Sequence, residues 1–398
     1  VTAVADSGSV VLHVLAVLVG VAVAGAVLVS ALETVVLPRE GFTRIARVTF
    51  AVVDRLLVRR WRSTERAANL RGLYAPVALV SLPLVWMLSI ILGFNCIFWG
   101  IGAGTWQRSF EISGSSVTTL GFAAPSGALR TWVSFVEAVI GLGLVALLIS
   151  YLPTIYAAHH DREKGIRTLR PFAGTPPSPI AMVENLRRYQ AIGHESLWQT
   201  ASAWLLELDQ THCAFPALSY FPESNPSQSW VASVGAMLDA AALLVSTDPV
   251  DLEAGSLDGR QGPLLVLAHG VPAVVRIGRA AGLPIGPPPV LADVLLGAVG
   301  DAPAADLSIT RAEFEAAAAA LAPTGAEPGV DLDLAWRRFS NVRGAYDRAL
   351  RGLAGLTLAT PAPWTTDRPA TVGRPRLVTT RPIDVDWALP APPTRAAG

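Results

Sequence analysis

No residue from Gly72 to Gln107 carries a charge at neutral pH, and none does from Ala138 to His160. A third run, Val14 to Leu32, is built wholly of apolar or small residues. Such runs meet the need for roughly 20 apolar residues to cross a hydrocarbon core of about 30 Å. They place spans at residues 10–36, 74–102 and 132–158. Hydrophobic residues make up 52% of the chain and charged ones 16%, below the roughly 25% of a soluble domain. The apolar excess lies in the first 160 positions, so a membrane part precedes a soluble part. A cleaved leader would start with basic residues and have a shorter apolar run. Val1 to Asp6 hold no Lys or Arg, so the first run reads as a span.

Orientation follows from arginine. Arg39, Arg44, Arg47, Arg55, Arg59, Arg60, Arg62, Arg66 and Arg71 lie between the first two spans, and Arg162, Lys164, Arg167 and Arg170 follow the third. Only Arg108 and Arg130 lie between the second and third. The positive-inside rule puts residues 38–73 and the C-terminus in the cytoplasm and the N-terminus outside. On a helical projection of residues 43–66, Arg44, Arg47, Arg55, Arg59, Arg62 and Arg66 share one face, opposite Ile45, Val53, Leu56 and Leu57. That pattern predicts an amphipathic helix on anionic lipid at the inner surface. A voltage sensor would need more spans ahead of it than the one present.

Between the second and third spans lies Ser115-Ser116-Val117-Thr118-Thr119-Leu120-Gly121-Phe122. Residues 110–119 can form a short helix ending at Thr118-Thr119. Irregular backbone at membrane depth is tolerated only when buried in protein or lining a watery cavity. The C-terminal end of a helix favours a cation, and Gly121 adopts unusual backbone angles cheaply.

Two spans flanking a re-entrant segment that ends Thr-Thr-apolar-Gly-aromatic resemble the pore module of the potassium channel superfamily, over roughly residues 75–160. The resemblance implies a filter of Thr118, Thr119, Leu120, Gly121 and Phe122. Potassium would be held at Thr119, Leu120, Gly121 and Phe122 by backbone carbonyls and the Thr119 hydroxyl. It also implies a homotetramer, because one such segment occurs per chain. The family usually continues Gly-aromatic-Gly-acid, whereas here Ala123 and Ala124 follow Phe122. A left-handed Ala123 would cost about 1–2 kcal/mol per subunit. The missing acid removes a hydrogen-bond partner behind the filter.

The third span carries one charge, Glu137, expected to hydrogen-bond the back of the short helix at Ser115 or Ser116. Gly141 and Gly143 permit bending or close helix contact. Pro153 removes a helix hydrogen bond near the cytoplasmic end and marks Tyr151 to Tyr156 as a gate candidate. His159-His160-Asp161 lacks convergent ligands for a metal.

After a Pro/Gly linker, helical patterns cover 180–192, 195–210, 228–245, 262–282, 310–321 and 331–357. Thr310 and Glu313 have capping-box spacing. No strand–helix alternation with a glycine fingerprint appears, and Gly100, Gly102 and Gly104 sit at a span end. Glu207 with Asp209, and Asp331 with Asp333, read as solvated helix ends rather than catalytic pairs. From Ala359 the chain is rich in Pro, Thr and Arg and reads as extended, with Trp364 and Trp387 free to reach a neighbour. Cys96 and Cys213 lie in different parts and do not form a disulfide framework. Formal net charge is +0, which gives no drive towards nucleic acid.

The expected fold is an all-α membrane protein with three transmembrane helices, a re-entrant pore helix and filter, and an all-α cytoplasmic domain. Its parts are an N-terminal span (1–37), an interfacial helix (38–73), a pore domain (74–160), a linker (161–179), a helical domain (180–357) and a Pro-rich tail (358–398). The expected function is passive conduction of a monovalent cation, potassium above all, with no cofactor. A composition low in Lys and rich in Ala, Arg and Pro points to a bacterial plasma membrane. Rival readings are a non-conducting scaffold or sensor, and a membrane-anchored enzyme with its site in 180–357. The ligand of the helical domain is not legible.

Overall fold

The computed structural model describes residues 2–35, 74–191, 195–221, 227–247, 261–288, 307–321, 331–357 and 359–368, with isolated positions between them. The expected lipid-binding helix at 43–66 lies largely outside the described residues, as does the tail beyond 368. Among the described residues the chain is all-helical, and five helices are long and apolar enough to cross a membrane.

Three of those five come first: α1 (Thr2–Val35), α2 (Tyr74–Gly100) and, after a short helix α3 (Trp106–Val117), the long α4 (Ala128–Ala173). Helix α1 packs along α2 through glycines. A Cβ at Gly20 would overlap the Gly93 carbonyl, and one at Gly100 would overlap Val17. Small residues let membrane helices approach backbone to backbone, where dispersion rather than water drives association. Trp86 Nε1 donates to Ser30 Oγ across the same seam at 3.3 Å.

Helix α3 descends between α2 and α4. Thr105 caps its start, accepting from the Arg108 amide at 3.2 Å. Ser113 Oγ on its buried face lies within hydrogen-bond distance of both the Ile91 carbonyl of α2 and Glu137 of α4. Its last carbonyl, Val117 O, lies where a Cβ on Gly141 would be. Gly141 is 13 residues into α4, so α3 ends about 20 Å along that helix from its start.

Helix α4 continues unbroken through Pro153 and Pro171 to Ala173. The segment 161–179, read from sequence as a linker, is therefore mostly helix. A stripe at 3.6-residue spacing explains this: Tyr151, Ile155, Ala158, Arg162, Ile166, Leu169 and Ala173 are all buried.

The rest is a helical bundle around α7 (Trp230–Thr247), which touches α4, α5 (Pro179–Arg188), α8 (Gln261–Ala280), α10 (Leu332–Gly344) and α11 (Asp347–Thr357). Helix α6 (Glu195–Ala214) pairs with α8, and α9 (Arg311–Leu321) lies against α5 and α10. Helices α7 and α8 complete the set of five apolar helices, yet 89% of α7's most apolar stretch is buried, against 17% for α1. Helix α7 is apolar on all sides because other helices surround it.

The capping box is reciprocal: the Thr310 amide donates to Glu313 Oε2 at 2.8 Å, and the Glu313 amide to Thr310 Oγ1 at 3.3 Å. The helix read over 331–357 is two, broken at Ala345 and Tyr346. Tyr346 turns into the core there and donates to Asp239 Oδ1 at 2.6 Å. The first ten residues of the expected extended tail fold back: Trp364 packs edge-on against Phe339, and its carbonyl accepts from Arg343 at 2.9 Å. Trp364 is thus buried against its own chain.

His212 of α6 supplies a pH prediction. It is fully buried beside Trp230, and its Nδ1 donates to the Leu208 carbonyl at 3.0 Å. Burial, reinforced by the Arg162 charge, pushes its pKa down to about 3. The unfolded chain then takes up a proton first, near the ordinary 6.5. Stability is intact above about pH 6.5 and falls as pH drops from there towards 3. Thermal midpoints measured from pH 7 to 4 should fall more steeply in wild type than in His212→Leu.

Candidate functional site

The site is the return limb, Thr118 to Ala124, between α3 and α4. Five backbone amides of this limb are held by the end of α3, beginning with Thr118 N, which donates to Gly114 O at 3.2 Å. Thr119 N donates to Ser116 O at 3.1 Å, and Leu120 N to Ser115 O at 3.1 Å. Gly121 N reaches Ser115 O at 3.5 Å, and Ala123 N donates to Ser115 Oγ at 3.0 Å. In a planar trans peptide the carbonyl points opposite to the N–H it shares a plane with. The carbonyls of Thr118, Thr119, Leu120 and Phe122 therefore point away from α3; that of Thr118 accepts from the Thr119 hydroxyl at 2.7 Å, so this hydroxyl, expected to face an ion, is engaged within the limb. That side is uncovered: residues 118–122 are exposed, Leu120 at 70% and Phe122 at 66%.

Left-handed backbone makes this possible. Thr119 has φ 57° and Gly121 φ 72°, with Leu120 between them outside that region. Gly121 takes the conformation without penalty. Thr119, which is β-branched, takes it at a cost of about 1–2 kcal/mol. The sequence placed that cost on Ala123. The structure moves it to Thr119, because Ala123 is buried, lies outside the left-handed region and has its amide fixed by Ser115.

The limb climbs back beside the first turns of α3. Arg108 Nη2 donates to the Ala124 carbonyl at 3.4 Å while Nη1 bonds Glu111 at 3.1 Å. Arg130 then ties the start of α4 to the end of α2, donating to the Ile101 carbonyl through Nε at 3.3 Å and Nη2 at 3.2 Å. Arg108 and Ser115 hold the limb where the resemblance would have placed an acid.

The other residues singled out from sequence separate clearly. Glu137 is fully buried and does bond α3, but through Ser113 rather than Ser115 or Ser116; Ser116 pairs with Ser134 at 2.6 Å. Ser113 lies about one turn nearer the start of α3. Gly141 is a close-packing position under Val117, whereas Gly143 faces open space. Pro153 sits on the exposed side of a continuous helix, and Thr154 Oγ1 donates to the Ser150 carbonyl beside it at 3.0 Å. His159 contacts Arg162 through Nδ1 at 3.1 Å, and no cluster of metal-ligand side chains occurs among the described residues.

In the helical domain, Asp209 pairs with Arg276, Asp331 caps α10, and Asp333 pairs with Arg311. Sequence reasoning missed a buried ion network, Asp239–Arg343–Asp347–Arg351. Arg343 lies 3.2 Å from each of Asp239 and Asp347, and Arg351 lies 3.3 Å from Asp347. The i,i+4 spacing of Arg343, Asp347 and Arg351 was its visible signal.

No protein-family model matches this chain, and neither the curated proteins nor the solved structures give a match.

Proposed function

We propose that the chain is one subunit of a homotetrameric cation channel of a bacterial plasma membrane, potassium-like in architecture. In this reading α1, α2 and α4 cross the membrane, with the N-terminus outside and the C-terminus cytoplasmic. Helices α7 and α8 are the core of a cytoplasmic domain. The carrying observation is the set of outward-turned carbonyls at Thr119, Leu120 and Phe122, held by the end of α3 about 20 Å along α4. Bare carbonyls at that depth cannot face lipid. They need either water and a cation or other protein around them, and a closed ring of copies supplies both. The C-terminal end of α3 adds partial negative charge at the same level.

The test is cation flux into liposomes holding the purified protein, under potassium and sodium gradients. Potassium flux at least tenfold above sodium flux is the expected result. Equal fluxes would remove selectivity from the proposal. Absence of flux from verified tetramers would favour the non-conducting scaffold.

A further inference from the structure

We infer that the segment Phe215–Phe221 is a latch through which the helical domain holds the lower part of α4 and so controls conduction. The control rests on the channel reading; the mechanical latch does not. The segment joins α6 to α7 through a 3-10 turn, Pro216–Tyr220. It lies between the helical domain, where it touches α6 and α11, and the long apolar helices α2 and α4. Ala217, Leu218 and Phe221 belong to one apolar cluster with Trp86 and Ile90 of α2 and Tyr151 and Ile155 of α4. Phe215 meets the Tyr151 ring edge-on at 5.6 Å, and Phe221 meets Tyr156 edge-on at 6.2 Å. These contacts cover the gate candidate, Tyr151 to Tyr156, from one side.

Arg162 fastens the latch. Its side chain is fully buried on α4. Nη1 donates to the Leu218 carbonyl at 2.9 Å, and Nη2 donates to the Phe221 carbonyl at 3.2 Å. A guanidinium spans two carbonyls in a fixed fork, which an ammonium cannot do. His159, Glu163 and Glu223 surround the same charge. One turn further on, Trp204 of α6 lies so close over Gly165 that a Cβ there would overlap the indole. Helix α4 is therefore gripped from two elements of the helical domain. A shift of α6 against α7 cannot leave residues 151–165 where they are.

Full-length protein in lipid nanodiscs gives the test. Arg162→Lys and Phe221→Ala should each speed amide hydrogen exchange at least tenfold in residues 151–165 and 215–221 together, leaving α8 unchanged. Faster exchange confined to 215–221 would overturn the latch. The same variants in liposomes should change potassium flux at least threefold. Wild-type flux in both variants, with exchange raised, would overturn control of conduction. Should wild type itself not conduct, the channel reading and its control both fail, and exchange still decides whether the latch exists.

Discussion

Gly121→Ala should abolish potassium flux while leaving the thermal midpoint of the protein within a degree or two of wild type. Gly121 has φ 72° and no atom within 4 Å of where its Cβ would stand. Steric clash therefore does not enter, and the whole effect is conformational. Placing an L-residue there costs about 1–2 kcal/mol per subunit, or about 4–8 kcal/mol around a four-fold ring. The limb can relieve that strain by rotating the peptide planes on either side. Such rotation turns the Leu120 carbonyl out of the line in which a permeant ion needs it. Gly25→Ala is the control, since Gly25 also meets nothing within 4 Å but lies inside the regular helix α1. Flux from Gly121→Ala at the wild-type rate would remove this limb from the conduction path.

Asp239→Ala carries the largest expected effect on stability. Asp239 and Arg343 are both fully buried, and Asp239 also accepts from Tyr346. Removing one partner of a buried pair costs about 3–5 kcal/mol, because the other charge stays behind in low dielectric. Asp347 remains beside Arg343 and sets the expectation near the lower figure, about 3 kcal/mol. Urea unfolding followed by tryptophan fluorescence should show the midpoint fall for Asp239→Ala and recover in Asp239→Leu/Arg343→Met. Failure of the double variant to recover would mean that the network fixes the Trp364 segment as well as balancing charge.

The long apolar helices α1, α2 and α4 were legible because crossing hydrocarbon would impose one rule on every residue, and charge-free runs record it directly. The start of α9 was legible because Thr310 and Glu313 act locally. What failed depended on partners far away in sequence. Gly and Pro between 171 and 179 suggested a linker, yet the helix persists because Ile166, Leu169 and Ala173 find a core. Tyr346 breaks a helix to reach Asp239, more than a hundred residues earlier. Glu137 met Ser113 rather than its expected partners because how α3 packs on α4, which spacing in sequence does not record, selects the serine. The limb at Thr118 to Phe122 was located by pattern, but which residue is left-handed was set by Ser115. Arg162 lay in plain view on the stripe from Tyr151 to Ala173, where one cation among apolar residues at helical spacing marks a buried anchor.

The unbroken α4 has a mechanical consequence. At 1.5 Å per residue, its 46 residues make a rod about 69 Å long. On the channel reading a hydrocarbon core would take up only about 30 Å of that. With Gly141 seated against Val117 as a fulcrum, the far end at Ala173 lies about 48 Å away. A tilt of about 10° at that pivot would sweep Ala173 through roughly 8 Å and Tyr151 through less than 3 Å. The rod is geared down: coarse travel in the distal bundle becomes fine adjustment beneath the return limb.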